Sequence, residues 1–154
     1  MSGQYRHVLA LTVVLGLLGG CVYTPTAPRE WDSWAKSFEA HPSAATIYVY
    51  RDVYNRPDER ATLYMDGKLV GETRPGTFFR IDTVPARHVF HGIGLDPGYL
   101  AVDARAGQIY FVRMDVVGRH TLYKIQSEQV GKKQLQACCE MIENWPGAYL
   151  SSVR

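Results

Sequence analysis

Residues 61–73, ATLYMDGKLVGET, place two short runs of β-favouring side chains on either side of Asp66-Gly67. A two-residue hairpin loop needs positive φ at both central positions, which Gly adopts at no steric cost and Asp tolerates. The stretch therefore predicts a tight β-hairpin. Outward from it, the same signature recurs at 45–51 (ATIYVYR), 77–83 (TFFRIDT), 87–92 (RHVFHG), 99–104 (YLAVDA), 108–117 (QIYFVRMDVV) and 121–126 (TLYKIQ). Val, Ile, Tyr, Phe and Thr fill these runs, and Gly, Pro and Asp punctuate them at roughly eight- to twelve-residue spacing, which is all-β spacing.

The flanks change period. In 30–40, Trp31, Trp34, Ala35 and Phe38 fall at helical spacing and predict a short amphipathic helix, ended by His41-Pro42-Ser43. Its aromatic stripe is expected to dock on the domain, the alternative being a membrane-surface or partner contact. After Ser127, a residue suited to an N-cap, Val130, Leu135, Cys138, Met141 and Ile142 recur at three- and four-residue steps until Trp145-Pro146-Gly147. That pattern predicts a C-terminal helix packed on the sheet, despite the unfavourable Gly131.

The N-terminus is of another kind. Residues 1–7 carry Arg6 and His7 and no acid, and Val8 to Gly20 holds no charge, the pattern of an export signal. Thirteen residues rise about 20 Å as a helix, short of the ~30 Å hydrocarbon core, so a permanent span is not expected. Leu18-Gly19-Gly20-Cys21 resembles the lipobox of bacterial lipoproteins. The two glycines would let an extended backbone enter the signal peptidase. The resemblance implies that Cys21 becomes an acylated first residue, with two or three chains that hold it stably at ~0.8 kcal/mol per buried CH₂. It also implies the inner leaflet of the outer membrane, facing the periplasm, because Val22 rather than Asp follows the cysteine. The expected organisation is a signal peptide at 1–20, a lipidated tether with the short helix at 21–43, a β domain at 44–130, a C-terminal helix at 127–145 and a tail at 146–154. Val22 to Arg29, with two prolines, reads as the extended tether.

Composition narrows the partners. The chain has 154 residues, 46% hydrophobic and 21% charged, with 17 Lys and Arg against 15 acids. Loss of Arg6 with the signal leaves near balance, which predicts no electrostatic drive toward DNA, RNA or anionic lipid.

Within 45–130, Ala45-Thr46-Ile47-Tyr48-Val49-Tyr50-Arg51, the Asp66-Gly67 turn ahead of Val70-Gly71, Val84-Pro85-Ala86-Arg87-His88, and Ala106-Gly107-Gln108-Ile109-Tyr110-Phe111-Val112 together resemble the bacterial domain-of-unknown-function 2846 family, mostly small exported lipoproteins. The resemblance implies a mainly β fold, a small antiparallel β-sandwich of prealbumin-like type carrying the two helices. It transfers no catalytic residue. The family's Pro-Gly-x-His turn has Ala86 in the Gly position here, and Ala at positive φ would cost about 1 kcal/mol, so a different turn type is expected.

Candidate chemistry is sparse. His88 and His91, three apart on a strand, point to opposite faces and cannot chelate one ion without a bulge; His120 has no ligand spacing near it, so no metal or cofactor is expected. Asp82, Asp96, Asp103 and Asp115 fall in different strands or turns, and no nucleophile motif is present. An enzyme is therefore not expected, the alternative being an envelope glycan or peptide hydrolase whose carboxylates meet only in the fold. Adjacent Cys138 and Cys139 have Cα atoms ~3.8 Å apart, below the usual disulfide minimum, so they read as two buried thiols or as an exposed thiol linking a homodimer. Tyr48 and Tyr50 share one strand face opposite Ile47 and Val49, and Tyr64, Tyr110 and Tyr123 repeat the theme. Most of these are expected to be core or half-buried sheet residues; if one sheet face is left open, they form an aromatic platform for a protein or glycan. The expected role is a lipid-anchored interaction domain.

Overall fold

The computed structural model describes residues 24–54, 60–93 and 98–144. The signal segment 1–20 with Leu18, Gly19 and Gly20, the lipidation candidate Cys21, Asp96 and the tail 146–154 lie outside the described residues. Helix α1 (Arg29–Ala35) precedes β1 (Ala45–Arg51), β2 (Ala61–Met65), β3 (Lys68–Thr73), β4 (Thr77–Thr83), β5 (Arg87–His91), β6 (Tyr99–Asp103), β7 (Ile109–Val117) and β8 (His120–Gln126); helix α2 (Glu128–Cys138) and the two-residue strand β9 (Glu140–Met141) follow.

The strands form two sheets, in the orders β8-β7-β1-β4-β9 and β3-β2-β5-β6. The described residues thus form a mainly β sandwich with two helices. Asp66 and Gly67 have φ of 53° and 74°, the double positive φ that the hairpin loop requires. Ala86 is not among the positive-φ residues, so the turn before β5 forms without the strain that a family-type glycine position would impose. Strict antiparallel pairing does not hold throughout. β1 runs antiparallel to β4 but parallel to β7, with Thr46 opposite Ile109, and β4 runs parallel to β9. The reason is connectivity. Between β4 and β7 the chain crosses to the smaller sheet for β5 and β6, and it returns from the end at which β1 begins.

Two apolar layers result. Ile47, Val49, Leu63, Phe79, Ile81, Phe90 and Val112 fill the space between the sheets. Tyr48, Tyr50, Phe78 and Phe111, on the other face of the larger sheet, pack under Ala35, Phe38 and Leu135 of the helical layer. Strands β1 and β4 are accordingly buried along their whole length. α2 is capped by Ser127, whose side chain accepts from Val130 N.

Three local expectations change. α2 ends at Cys138 rather than near 145, because Cys139 is extended (φ −127°, ψ 141°) and the chain continues as β9. Met141 and Ile142 are thereby strand-period rather than helix-period residues, and they pack on opposite sides of the larger sheet. α1 stops at Ala35, and Phe38 at φ 54° turns the chain so that its ring reaches Tyr48 and Phe111. Lastly, the tether reading fails from Thr24 onward. Thr26 bridges Ile142 in antiparallel sense, Ala27 N donates to Met141 O at 2.9 Å, and Glu143 N donates to Pro25 O at 2.9 Å. The segment is extended, as its prolines suggest, yet it lies against the body as a further edge of the larger sheet.

Candidate functional site

The strand TFFRIDT carries Arg80 and Asp82 two residues apart, so both side chains leave the same face of β4. That face looks toward the helical layer, and both residues are buried there. Arg80 Nε donates to Asp82 Oδ2 at 3.2 Å, Nη1 to Tyr48 Oη at 3.3 Å, and Nη2 to the Glu39 carbonyl at 3.0 Å. Asp82 Oδ1 accepts from Thr46 Oγ1 at 2.6 Å. Tyr48 Oη in turn donates to Ala35 O at 2.6 Å. Burial raises the pKa of Tyr48, with Arg80 partly opposing it, to about 12, and burial likewise pushes Tyr50 up to about 12. Both tyrosines are neutral donors at any physiological pH.

Over this network sits Trp34, its ring centroid 3.8 Å from Arg80 Cζ. Trp31, one helical turn earlier, and Trp34 are 55% and 49% exposed, so the indoles present open surface as well as contact. Together with Arg80, Asp82, Met141, Glu143 and Asn144 they line a groove of about 500 Å³. Asn144 Nδ2 donates to Arg80 O at 3.1 Å, whereas its Oδ1 is buried and has no hydrogen-bond partner among the described residues. An apolar floor with a few polar groups is the usual composition of a ligand groove. Here the polar groups are the Glu143 carboxylate, the Asn144 amide and the Arg80–Asp82 pair, in which Asp82 is engaged by Arg80 and Thr46.

The five candidate tyrosines are buried or half-buried and do not share one open face. Tyr48 and Tyr50 do share a face, but the helices cover it, and Tyr50 Oη donates to Gln134 Oε1 of α2. Tyr110 and Tyr123 are partly buried at the margin of the inter-sheet core, and Tyr110 Oη accepts from Arg105 N at 3.0 Å. Tyr64 stacks on His91 across the β2–β5 pair, with centroids 5.1 Å apart. Side-chain alternation assigns a face without saying what covers it.

The remaining candidates find structural partners. His88 is buried, with Nδ1 2.6 Å from Asp66 Oδ2 and Nε2 2.8 Å from Val84 O, while Asp66 Oδ1 accepts from Val89 N at 2.8 Å. This joins the Asp66-Gly67 turn to the turn before β5, two motifs that sequence alone leaves separate. His91 faces the other way, its Nδ1 2.8 Å from Gly92 O. His120 is exposed. Among the described residues no three His, Cys, Asp or Glu side chains converge as a metal site. Asp115 pairs with Arg113 at 3.0 Å and Asp103 with Arg87 at 3.6 Å. Cys138 and Cys139 correct the reading of two separate thiols, because their sulfurs are joined in a disulfide. The helix ends at Cys138, so the bond does not have to bend it.

Sequence reasoning weighed Trp31 and Trp34 as docked on the domain or in contact with a membrane or partner, and did not group Arg80, Glu143 or Asn144 with them. The available signal was the Arg80–Asp82 pair inside an otherwise apolar strand, since two charges on one buried face require each other.

No helix among the described residues is long and apolar enough to cross a membrane. No family model matches the chain, and no solved structure matches it. A protein of Haemophilus influenzae described as uncharacterized is 30% identical over 143 residues, covering 84% of this chain and 83% of that one. With identity and mutual coverage of that extent, the chain belongs to the same family as the Haemophilus influenzae protein.

Proposed function

We propose that this chain is a non-enzymatic, lipid-anchored domain of the bacterial envelope that binds a protein or an envelope polymer through the groove between α1 and β4. The observation that carries the reading is the pair of half-exposed indoles, Trp31 and Trp34, set beside the Glu143 carboxylate. Flat aromatic faces bury large area at low conformational cost, and the carboxylate oxygens accept from hydroxyl or N–H donors. The lipobox-like Leu18-Gly19-Gly20-Cys21 supports acylation of Cys21, and Val22 supports the periplasmic face of the outer membrane. The motifs of 45–130 support membership of the domain-of-unknown-function 2846 family. Anchoring would raise the local concentration of the groove at its partner's surface without any added contact.

The test is a cross-linked pull-down from intact envelopes with wild type, Cys21→Ala and Trp31→Ala, alongside fatty-acid labelling. Wild type should label and capture a partner, Cys21→Ala should lose the label, and Trp31→Ala should keep the label but lose the partner. Undiminished labelling of Cys21→Ala ends the anchoring reading. Equal capture by Trp31→Ala removes the groove from it.

A further inference from the structure

The described chain begins already attached to its body. Thr24 is buried, its Oγ1 accepts from Glu72 N of β3 at 2.8 Å, and Pro25 and Ala27 are held by backbone bonds to Glu143 and Met141. Between Thr24 and Cys21 stand two residues, Val22 and Tyr23. Three Cα steps of at most ~3.6 Å span about 11 Å, however the segment is arranged. A body of this size has a radius of gyration of about 14 Å. The span exceeds the polar layer of one leaflet, roughly 5–7 Å, by only about 4–6 Å. An anchor on Cys21 therefore cannot hold the domain one radius away from the lipid.

We propose that the domain has no free tether and is seated directly on the bilayer, with the sandwich edge formed by β3 and Thr24–Ala27 against the phospholipid headgroups. This rests on acylation of Cys21, as proposed above. The chemistry of the edge fits phosphate. Arg74, exposed, donates from Nη2 to Thr26 Oγ1 at 2.9 Å, next to the point where the chain leaves. Arg60, with its side chain 61% exposed, donates from Nη1 to Glu72 Oε2 at 3.3 Å. Among the described residues each guanidinium has one side-chain partner, which leaves donors in a fork suited to phosphate oxygens. Glu72, the acid beside them, is half-buried and engaged by Arg60. Acyl chains supply the affinity, and these arginines set which edge faces down. The near-zero net charge of the chain is consistent with a local patch that orients without recruiting.

The experiment uses the purified full-length lipoprotein in vesicles of phosphatidylethanolamine and phosphatidylglycerol. An arginine-selective dicarbonyl reagent is applied, and modification of Arg60 and Arg74 is followed by mass spectrometry. A second protein carries a ten-residue Gly/Ser insert between Tyr23 and Thr24, which adds an average reach of about 17 Å. Cys21→Ser with the same vesicles gives the unanchored rates. Both arginines should react several-fold more slowly in the lipoprotein than in Cys21→Ser, and the insert should restore the faster rate. Equal rates with and without the insert, in protein whose N-terminal fragment carries the acyl mass, overturn the seating while leaving the anchor intact. An N-terminal fragment without acyl mass overturns the anchor and the seating together.

Discussion

Replacing Gly131 by alanine sets two physical effects against each other. In α2, helix propensity alone favours Ala over Gly by about 1 kcal/mol. Gly131 faces the Phe111 ring, however, and a Cβ there would stand 2.2, 2.5 and 2.6 Å from Phe111 Cγ, Cβ and Cδ1. Carbon atoms pack at ~3.5–4.0 Å, so helix and ring must separate by on the order of 1 Å. The ring has little freedom to yield, because Tyr48 stacks on it at 5.2 Å and Phe38 meets it edge-on at 5.7 Å. Overpacking of this kind costs about 3 kcal/mol, leaving a net loss of about 2 kcal/mol after the propensity gain. At this chain length, that lowers Tm by about 6 °C. Thermal and urea unfolding, followed by near-ultraviolet circular dichroism, read the change. Adding Phe111→Leu should recover part of the loss, a coupling that a double-mutant cycle isolates. A Gly131→Ala protein as stable as wild type, or more so, would refute the close seating of α2 on β7.

Alkaline pH should weaken the fold through Tyr48 and Tyr50. Their folded pKa of about 12 exceeds the ordinary value of 10.0, so the unfolded chain loses these protons first and stability declines from about pH 10 toward pH 12. Urea midpoints across that range should fall, and Tyr48→Phe with Tyr50→Phe should flatten the decline. Arg80→Ala should cost about 3–5 kcal/mol in urea unfolding, because it leaves Asp82 buried without its cation, and joint replacement of Arg80 by Met and Asp82 by Val should restore much of it. Non-reducing electrophoresis should give one monomer band for both wild type and the Cys138→Ser, Cys139→Ser double variant, with Cys138 and Cys139 of wild type reacting with a thiol reagent only after reduction.

The β architecture was legible because hairpin chemistry is local. Asp66-Gly67 specifies its turn through φ alone, and the eight long strands follow from runs of β-branched and aromatic residues between turn formers. The ninth escaped because two residues carry no period, and because Met141 and Ile142 also satisfy the spacing of the preceding helix. Alternation likewise put Ile47 and Val49 opposite Tyr48 and Tyr50 correctly. It left open what covers the tyrosine face, and a helical layer makes that face a second core.

Sequence alone therefore determined which residues form strands, where the hairpin closes, and that His88 and His91 point apart, since each depends on neighbours along the chain. Tertiary structure decided the parallel pairing of β1 with β7, the closure of the Asp66–His88 contact, the docking of Thr24–Ala27, and the gathering of Trp31, Trp34, Arg80 and Asn144 around one groove. Those features join segments far apart in the chain, and their geometry depends on how two sheets and two helices pack, which no local propensity encodes.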